Sequence, residues 1–250
     1  AAKESKRAQI EGHFQALQDD IVILAESDAA TEALIGFDIA YRNAGLQAGG
    51  VDWQDVDSQY GAWLSRYTEH YGFYDLFLVN VDGEVVYSVT QEADLGQNIK
   101  SGPLRDSGIG RLFSKAQSGV AIEDFSPYAP SNNQQAAFIG APVVNNEELQ
   151  GVLIMQIPTE GIDAIMQRDD NLGETVETYL VGQYSGSNTL RSNFVGTNGT
   201  EHQIGMPTDD LFVEQSLAGK VVDGAYTDQS GRLLMVSASP LEIFGLNWAL

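Results

Sequence analysis

The side chains able to do chemistry in this sequence are histidines, grouped acids and glycine runs, and their spacing decides what each can do. His13, His70 and His202 stand far apart in the chain, and no two have the four-residue helical spacing that puts a pair of imidazoles on one metal ion. Without a partner for ligation or proton relay they are read as surface or satisfied core residues. The acids gather as Asp75, as Glu92 with Asp94, as Asp169-Asp170 and as Asp209-Asp210. None has the alternating positions closing on a glutamate that a calcium loop needs, and adjacent acids beside a helix start act as caps. The run Ser107-Gly108-Ile109-Gly110-Arg111 lacks the glycine count and the lysine of a phosphate cradle, and no serine lies in a Gly-x-Ser-x-Gly elbow. The absence of cysteine removes disulfides, thiolate metal sites and thiol nucleophiles. The expectation is a binding protein with neither cofactor nor metal, and not an enzyme.

Binding calls for a second kind of constellation, polar and aromatic groups converging under a cover. Arg111 and Phe113 fall on a short helical pattern, Tyr87 on a strand before it, and Asp124, Tyr128 and Phe138 on the strands and loop after it. A guanidinium, a carboxylate, a hydroxyl and aromatic faces brought together can hold a small polar or charged solute.

The elements that must position them follow from periodicity. Ile10, Phe14, Leu17, Ile21 and Leu24 recur at steps of four and three. This is an amphipathic stripe over Lys3 to about Leu34 that can lie on a globular domain or pair with a second copy. A second helical pattern covers Ala29 to Gly45. A third starts from Asp52 as N-cap and ends near Gly72, with Trp53, Val56, Tyr60, Trp63, Leu64 and Tyr67 on one face. At Tyr74 the period changes to strand, Asp82-Gly83 turn, strand to Val89. A glycine-rich connection, expected to fold over one face rather than pair with the sheet edge, leads to the helix Arg111–Ala116. Strands Val120–Phe125, Ala136–Val144 and Gly151–Ile157 follow, in the order of a PAS-like sheet.

After a helix at Thr159–Arg168 the pattern begins again. Strands are expected at Thr178–Gly182 and Thr189–Ser192, a helix at Asp209–Leu217, and strands at Lys220–Tyr226, Leu233–Ser239 and Phe244–Leu250. The halves echo each other at a spacing of about one hundred residues: Ala116-Gln117-Ser118-Gly119 answers Ser216-Leu217-Ala218-Gly219, and Ala141-Pro142 with Gly151 answers Ser239-Pro240 with Gly245. The fold class is therefore α/β (α+β), a long N-terminal helix followed by two tandem PAS-like modules with antiparallel sheets. The expected divisions are 1–72, 73–158 and 159–250.

Among 250 residues, 13 basic and 35 acidic side chains give a formal charge of -22, which repels phosphate backbones and anionic headgroups and argues against a nucleic-acid partner. No run reaches the roughly 18–20 apolar residues of a membrane span. The chain begins inside a helical pattern and stops inside an apolar strand, so contact with a membrane is expected only through flanking helices that lie outside it.

Five segments in order resemble the double Cache sensor regions of methyl-accepting chemotaxis receptors, sensor histidine kinases and some nucleotide cyclases. They are Tyr74–Val79 with Val85–Val89, Asp124–Pro130, Ala136–Pro142, Gly173–Gly182 and Gly245–Leu250. The resemblance implies a periplasmic region of an inner-membrane protein, a membrane-distal module that binds a small solute, and a membrane-proximal module that passes the change on. It implies a homodimer formed through the N-terminal helix. It also matches Tyr128 to a tyrosine used by members that bind amino acids, and it puts Gln156 where those members have an aspartate for the ligand's amino group. A neutral amide lacks that charge-assisted bond, so an ordinary amino acid is not the expected ligand. A chemotaxis receptor is the leading expectation and a sensor kinase or cyclase the next, with a free periplasmic solute-binding protein as the alternative of another class.

Overall fold

The structure, a computed structural model, describes residues 2–168, 176–227, 231 and 233–250. Asp169-Asp170 and the segment Gly173-Glu174-Thr175 lie outside the described residues. Packing divides the chain into two compact units, Gln15–Pro158 and the pair of segments Ala1–Phe14 with Thr159–Leu250. The helical N-terminal region forms no unit of its own.

Three helices open the chain, α1 (Ala2–Ala25), α2 (Asp28–Asn43) and α3 (Val51–Tyr71). The long helix expected to reach Leu34 stops at Ala25, because Ser27 takes extended backbone and its hydroxyl accepts from the Ala30 N–H at 3.2 Å as the N-cap of α2. The cap of α3 lies two residues before the expected one. Gly50 is its N-cap, and Asp52 lies inside the first turn. All five members of the α1 stripe, Ile10, Phe14, Leu17, Ile21 and Leu24, are buried within the single chain. That stripe is covered by the chain itself and is not free to pair with a second copy.

In the unit Gln15–Pro158 the strands are β1 (Asp75–Asn80), β2 (Val85–Ser88), β3 (Ala121–Tyr128), β4 (Gln134–Asn145) and β5 (Glu148–Ile157), with α4 (Gly108–Ala116) between β2 and β3. They pair antiparallel in the order β2-β1-β5-β4-β3. α2 and α3 cover one face, where Phe37 and Trp53 stack against Tyr87 at 4.5 and 6.0 Å. α4 covers the other, packing Ile109, Leu112, Phe113 and Ala116 against Phe77, Val79, Phe138, Val152 and Ile154. The connection ahead of α4 does pair with the edge, contrary to expectation. Gly96 N–H donates to the Val85 carbonyl at 2.8 Å and Ile99 N–H to Gly83 at 2.7 Å, so the loop first runs beside β2 and only then crosses the face.

The other unit carries α5 (Glu160–Met166), β6 (Val181–Tyr184), β7 (Ser187–Leu190), β8 (Phe194–Val195), β9 (Glu201–His202), α6 (Leu211–Leu217), β10 (Val222–Thr227), β11 (Leu233–Ala238), β12 (Pro240–Ile243) and β13 (Leu246–Ala249). β12-β13-β6-β7 form one sheet, β10-β11 a second and β8-β9 a third. Ser239 and Leu250 exchange both backbone hydrogen bonds, which joins β11 and β12 into one bent strand beside β13. The resulting order, β10, β11-β12, β13, β6, β7, repeats β3-β4-β5-β1-β2 of the first unit. No helix among the described residues is long and apolar enough to cross a membrane.

Candidate ligand-binding site

Strand alternation turns every second residue of β1, β5 and β4 toward α4. Register then fixes the neighbours on that face: Phe77 opposite Ile154 and Val79 opposite Val152, then Gly140 opposite Ile154 and Phe138 opposite Gln156. α4 sits close because β4 offers a glycine there. A Cβ at Gly140 would stand 2.9 Å from the Ala116 Cβ.

Toward one end of this face the apolar run gives way to polar groups. Asp75 pairs with Gln156 across β1 and β5. The Tyr128 ring meets Phe138 edge-on at 5.0 Å, and its hydroxyl donates to Asp94 Oδ2 at 2.8 Å. Asp94 is fully buried and Gln156 is 6% exposed. Their remaining acceptors, Asp94 Oδ1 and Gln156 Oε1, have no hydrogen-bond partner. A buried acceptor left unpaired costs about 1–3 kcal/mol, and more when it is charged. The two residues are linked through Tyr128, which bonds Asp94 and meets Phe138, the cross-strand partner of Gln156, and a donor brought from outside to either acceptor would be rewarded.

The electrostatics point the same way. Burial pushes the Asp94 carboxyl above its ordinary value, the Tyr128 hydroxyl works against this, and the charge of Glu92 adds to it. Burial also pushes Asp75 up to about 6, against hydrogen bonds from Thr90 and Leu76, with Asp94 adding to the rise. The Tyr128 hydroxyl is held up by burial first and then by Asp94, so it remains a neutral donor. The charges acting on these three groups are those of Asp75, Asp94 and Glu92.

Four of the seven residues expected at the site, Phe113, Tyr128, Phe138 and Gln156, are gathered on this face. Three are not. Tyr87 points to the opposite face, into Phe37 and Trp53, because the β1–β2 register shifts between Leu78 and Val79 and breaks the alternation counted from Val85. Arg111 turns outward on α4: its Nε holds Glu123 Oε1 at 2.5 Å and its Nη1 donates to the Asp106 carbonyl at 2.7 Å. Lys115 Nζ takes Glu123 Oε2 at 2.7 Å. Asp124 falls where the β3–β4 register shifts between Glu123 and Ser126, and its Oδ1 accepts from the Phe125 N–H at 2.7 Å.

In the sequence Asp94 and Asp75 stand out only as members of acidic groups. Asp94 lies in a loop where composition gives no sign of burial, and its partner Tyr128 is 34 residues away. Asp75 did carry a signal, a carboxylate opening the otherwise apolar strand Asp75-Leu76-Phe77-Leu78-Val79. Among the described residues no three histidine, aspartate or glutamate side chains converge as a metal site. Of the histidines, His13 is half-buried with its Nε2 covered and unpaired, His202 stacks on Phe194 at 4.5 Å and His70 is exposed.

No family model matches the chain and none of the curated proteins does. Solved structures do match. The sensor domain of the Vibrio cholerae histidine kinase DctB superposes with a TM-score of 0.57 at 13% identity, over 99% of this chain and 94% of that one. The ligand-binding domain of the Pseudomonas aeruginosa amino-acid chemoreceptor PctC, in complex with GABA, gives 0.58 at 13% identity over 98% and 93%. That of the Campylobacter jejuni chemoreceptor Tlp3, in complex with 4-methylisoleucine, gives 0.59 at 13% identity over 100% and 86%. The fold is therefore that of the tandem Cache sensor domains of bacterial receptors, and it extends over nearly the whole chain.

Proposed function

We propose that this chain is the extracytoplasmic ligand-sensing region of a bacterial membrane receptor and that it binds a small solute in the module 73–158, beneath α4. The observation that carries the reading is the pair of buried, unpaired acceptors Asp94 Oδ1 and Gln156 Oε1 in a fold shared with ligand-binding receptor domains. Phe113, Tyr128 and Phe138 supply the remaining wall. The solute acts by differential affinity. It favours the arrangement in which α4 and the preceding loop close on the sheet, and the receptor responds as a shift of population. No reaction is assigned to the chain. A chemotaxis receptor is the leading context, and the likeness to the DctB sensor domain supports a histidine kinase as the second.

A thermal-shift screen of small polar metabolites tests the site. A solute at about one hundred times its dissociation constant stabilises by roughly 2.7 kcal/mol, which is a clear rise in Tm. Asp94→Asn and Gln156→Leu should each diminish that rise. A hit whose shift survives both substitutions would put the site elsewhere.

A further inference from the structure

The two acceptors also say what kind of group they receive, an inference that rests on the site proposed above. Both unpaired atoms are oxygens, the carboxylate Oδ1 of Asp94 and the amide Oε1 of Gln156, and an oxygen acceptor is satisfied only by an N–H or O–H. Asp94 and its neighbours Asp75 and Glu92 make the surroundings anionic. A cation with hydrogens to donate is therefore the complement. A metal ion is disfavoured because no three ligating side chains converge among the described residues. A quaternary ammonium has the charge but no N–H, and would leave both oxygens unpaired.

The opposite end of an amino acid meets the wrong charges. The two cations of α4, Arg111 and Lys115, are both committed to Glu123, and Arg111 also holds the Asp106 carbonyl. A carboxylate on a short stem would be brought toward Asp75, Asp94 and Glu92 with no prepared counter-charge. We infer that the solute is a small primary or secondary amine, bound as its ammonium ion between Asp94 and Gln156 and bearing no carboxylate beside it. Two of its N–H groups reach the two oxygens, while Phe138 and Phe113 supply apolar surface to its stem.

Calorimetric titration of the whole chain with four kinds of probe tests this: propylamine and ethanolamine, β-alanine and 4-aminobutyrate, choline, and butyrate. The amines should bind, the two amino acids at least tenfold more weakly, and choline and butyrate not at all. Asp94→Asn should weaken the amines at least tenfold, since a charge-assisted bond is replaced by a neutral one. Gln156→Leu should weaken them severalfold and serves if Asp94→Asn fails to fold. An amino acid or butyrate that binds as tightly as the amines, and loses that affinity in either variant, would overturn the amine assignment and leave the site standing. Amine binding indifferent to both variants would overturn the site itself. No amine binding at millimolar concentration would overturn the assignment.

Discussion

Asp75 is the side chain whose environment makes the sharpest claim. Its carboxyl accepts from the backbone N–H groups of Leu76, Val89 and Thr90 and from the Thr90 hydroxyl, yet burial still pushes it up to about 6. An acid raised in the folded state stabilises the fold while it holds its proton. The contribution is fully present below the unfolded value near 3.8 and is lost as pH rises through about 6. The interval corresponds to about 3 kcal/mol as an upper figure. Urea midpoints of the wild type and of Asp75→Asn between pH 4 and 7.5 should show the wild type losing ground to the variant as pH rises. Parallel curves would remove Asp75 as the cause. At this scale the sequence was partly legible. Tyr128 and Phe138 were found because the strands and loop that face α4 can be placed from the element order, Gln156 only through the family resemblance, and Tyr87 and Asp124 were misplaced because both sit at register shifts, which leave no mark in an apolar pattern.

The elements were more legible than the residues, since period and turn chemistry are local. The Asp82-Gly83 turn, the three-strand meander and α4 lie where the pattern puts them, with ends moved by up to three residues. The proline echo is also real in structure. Pro142 stands four residues before the Asn146-Glu147 turn and Pro240 four before the Phe244-Gly245 turn, and all four turn residues have positive φ, as a two-residue hairpin of this hand requires. The glycine half of that echo is not: Gly245 is in its turn, whereas Gly151 lies within β5 opposite Asn80. One contact between elements is set by a missing side chain. A methyl at Gly140 would meet Ala116 at 2.9 Å and Leu112 at 3.2 Å, so Gly140→Ala must push α4 away from β4. We expect a loss of about 1–3 kcal/mol in chemical denaturation. The Gly140→Ala/Ala116→Gly pair should lose less than the sum of its single variants. Strict additivity would mean that the two positions do not meet.

For the molecule as a whole, tandem modules were readable because two cores need two sets of the same elements, and the shared strand order bears this out. The division of the packing was not readable, because the α1 stripe runs on without a break while its two ends serve different units. In the unit that ends the chain, the opening residues are structural parts. Phe14 meets Trp248 edge-on at 5.5 Å, and Lys6 Nζ donates to the carbonyls of Ile165, Met166 and Arg168 at the end of α5. Arg7 donates to Ser239 Oγ and the Pro240 carbonyl. Severed at residue 158, the C-terminal piece would therefore be an incomplete fold with an open seat. A synthetic peptide of residues 1–14, added in trans, should bind residues 159–250 and sharpen their thermal transition, whereas the same peptide with Phe14→Ala should do so poorly. If residues 159–250 melt cooperatively alone and ignore the peptide, the seat is not needed. If the peptide restores the transition, the module is a split protein whose two pieces are held in one chain by the unit inserted between them.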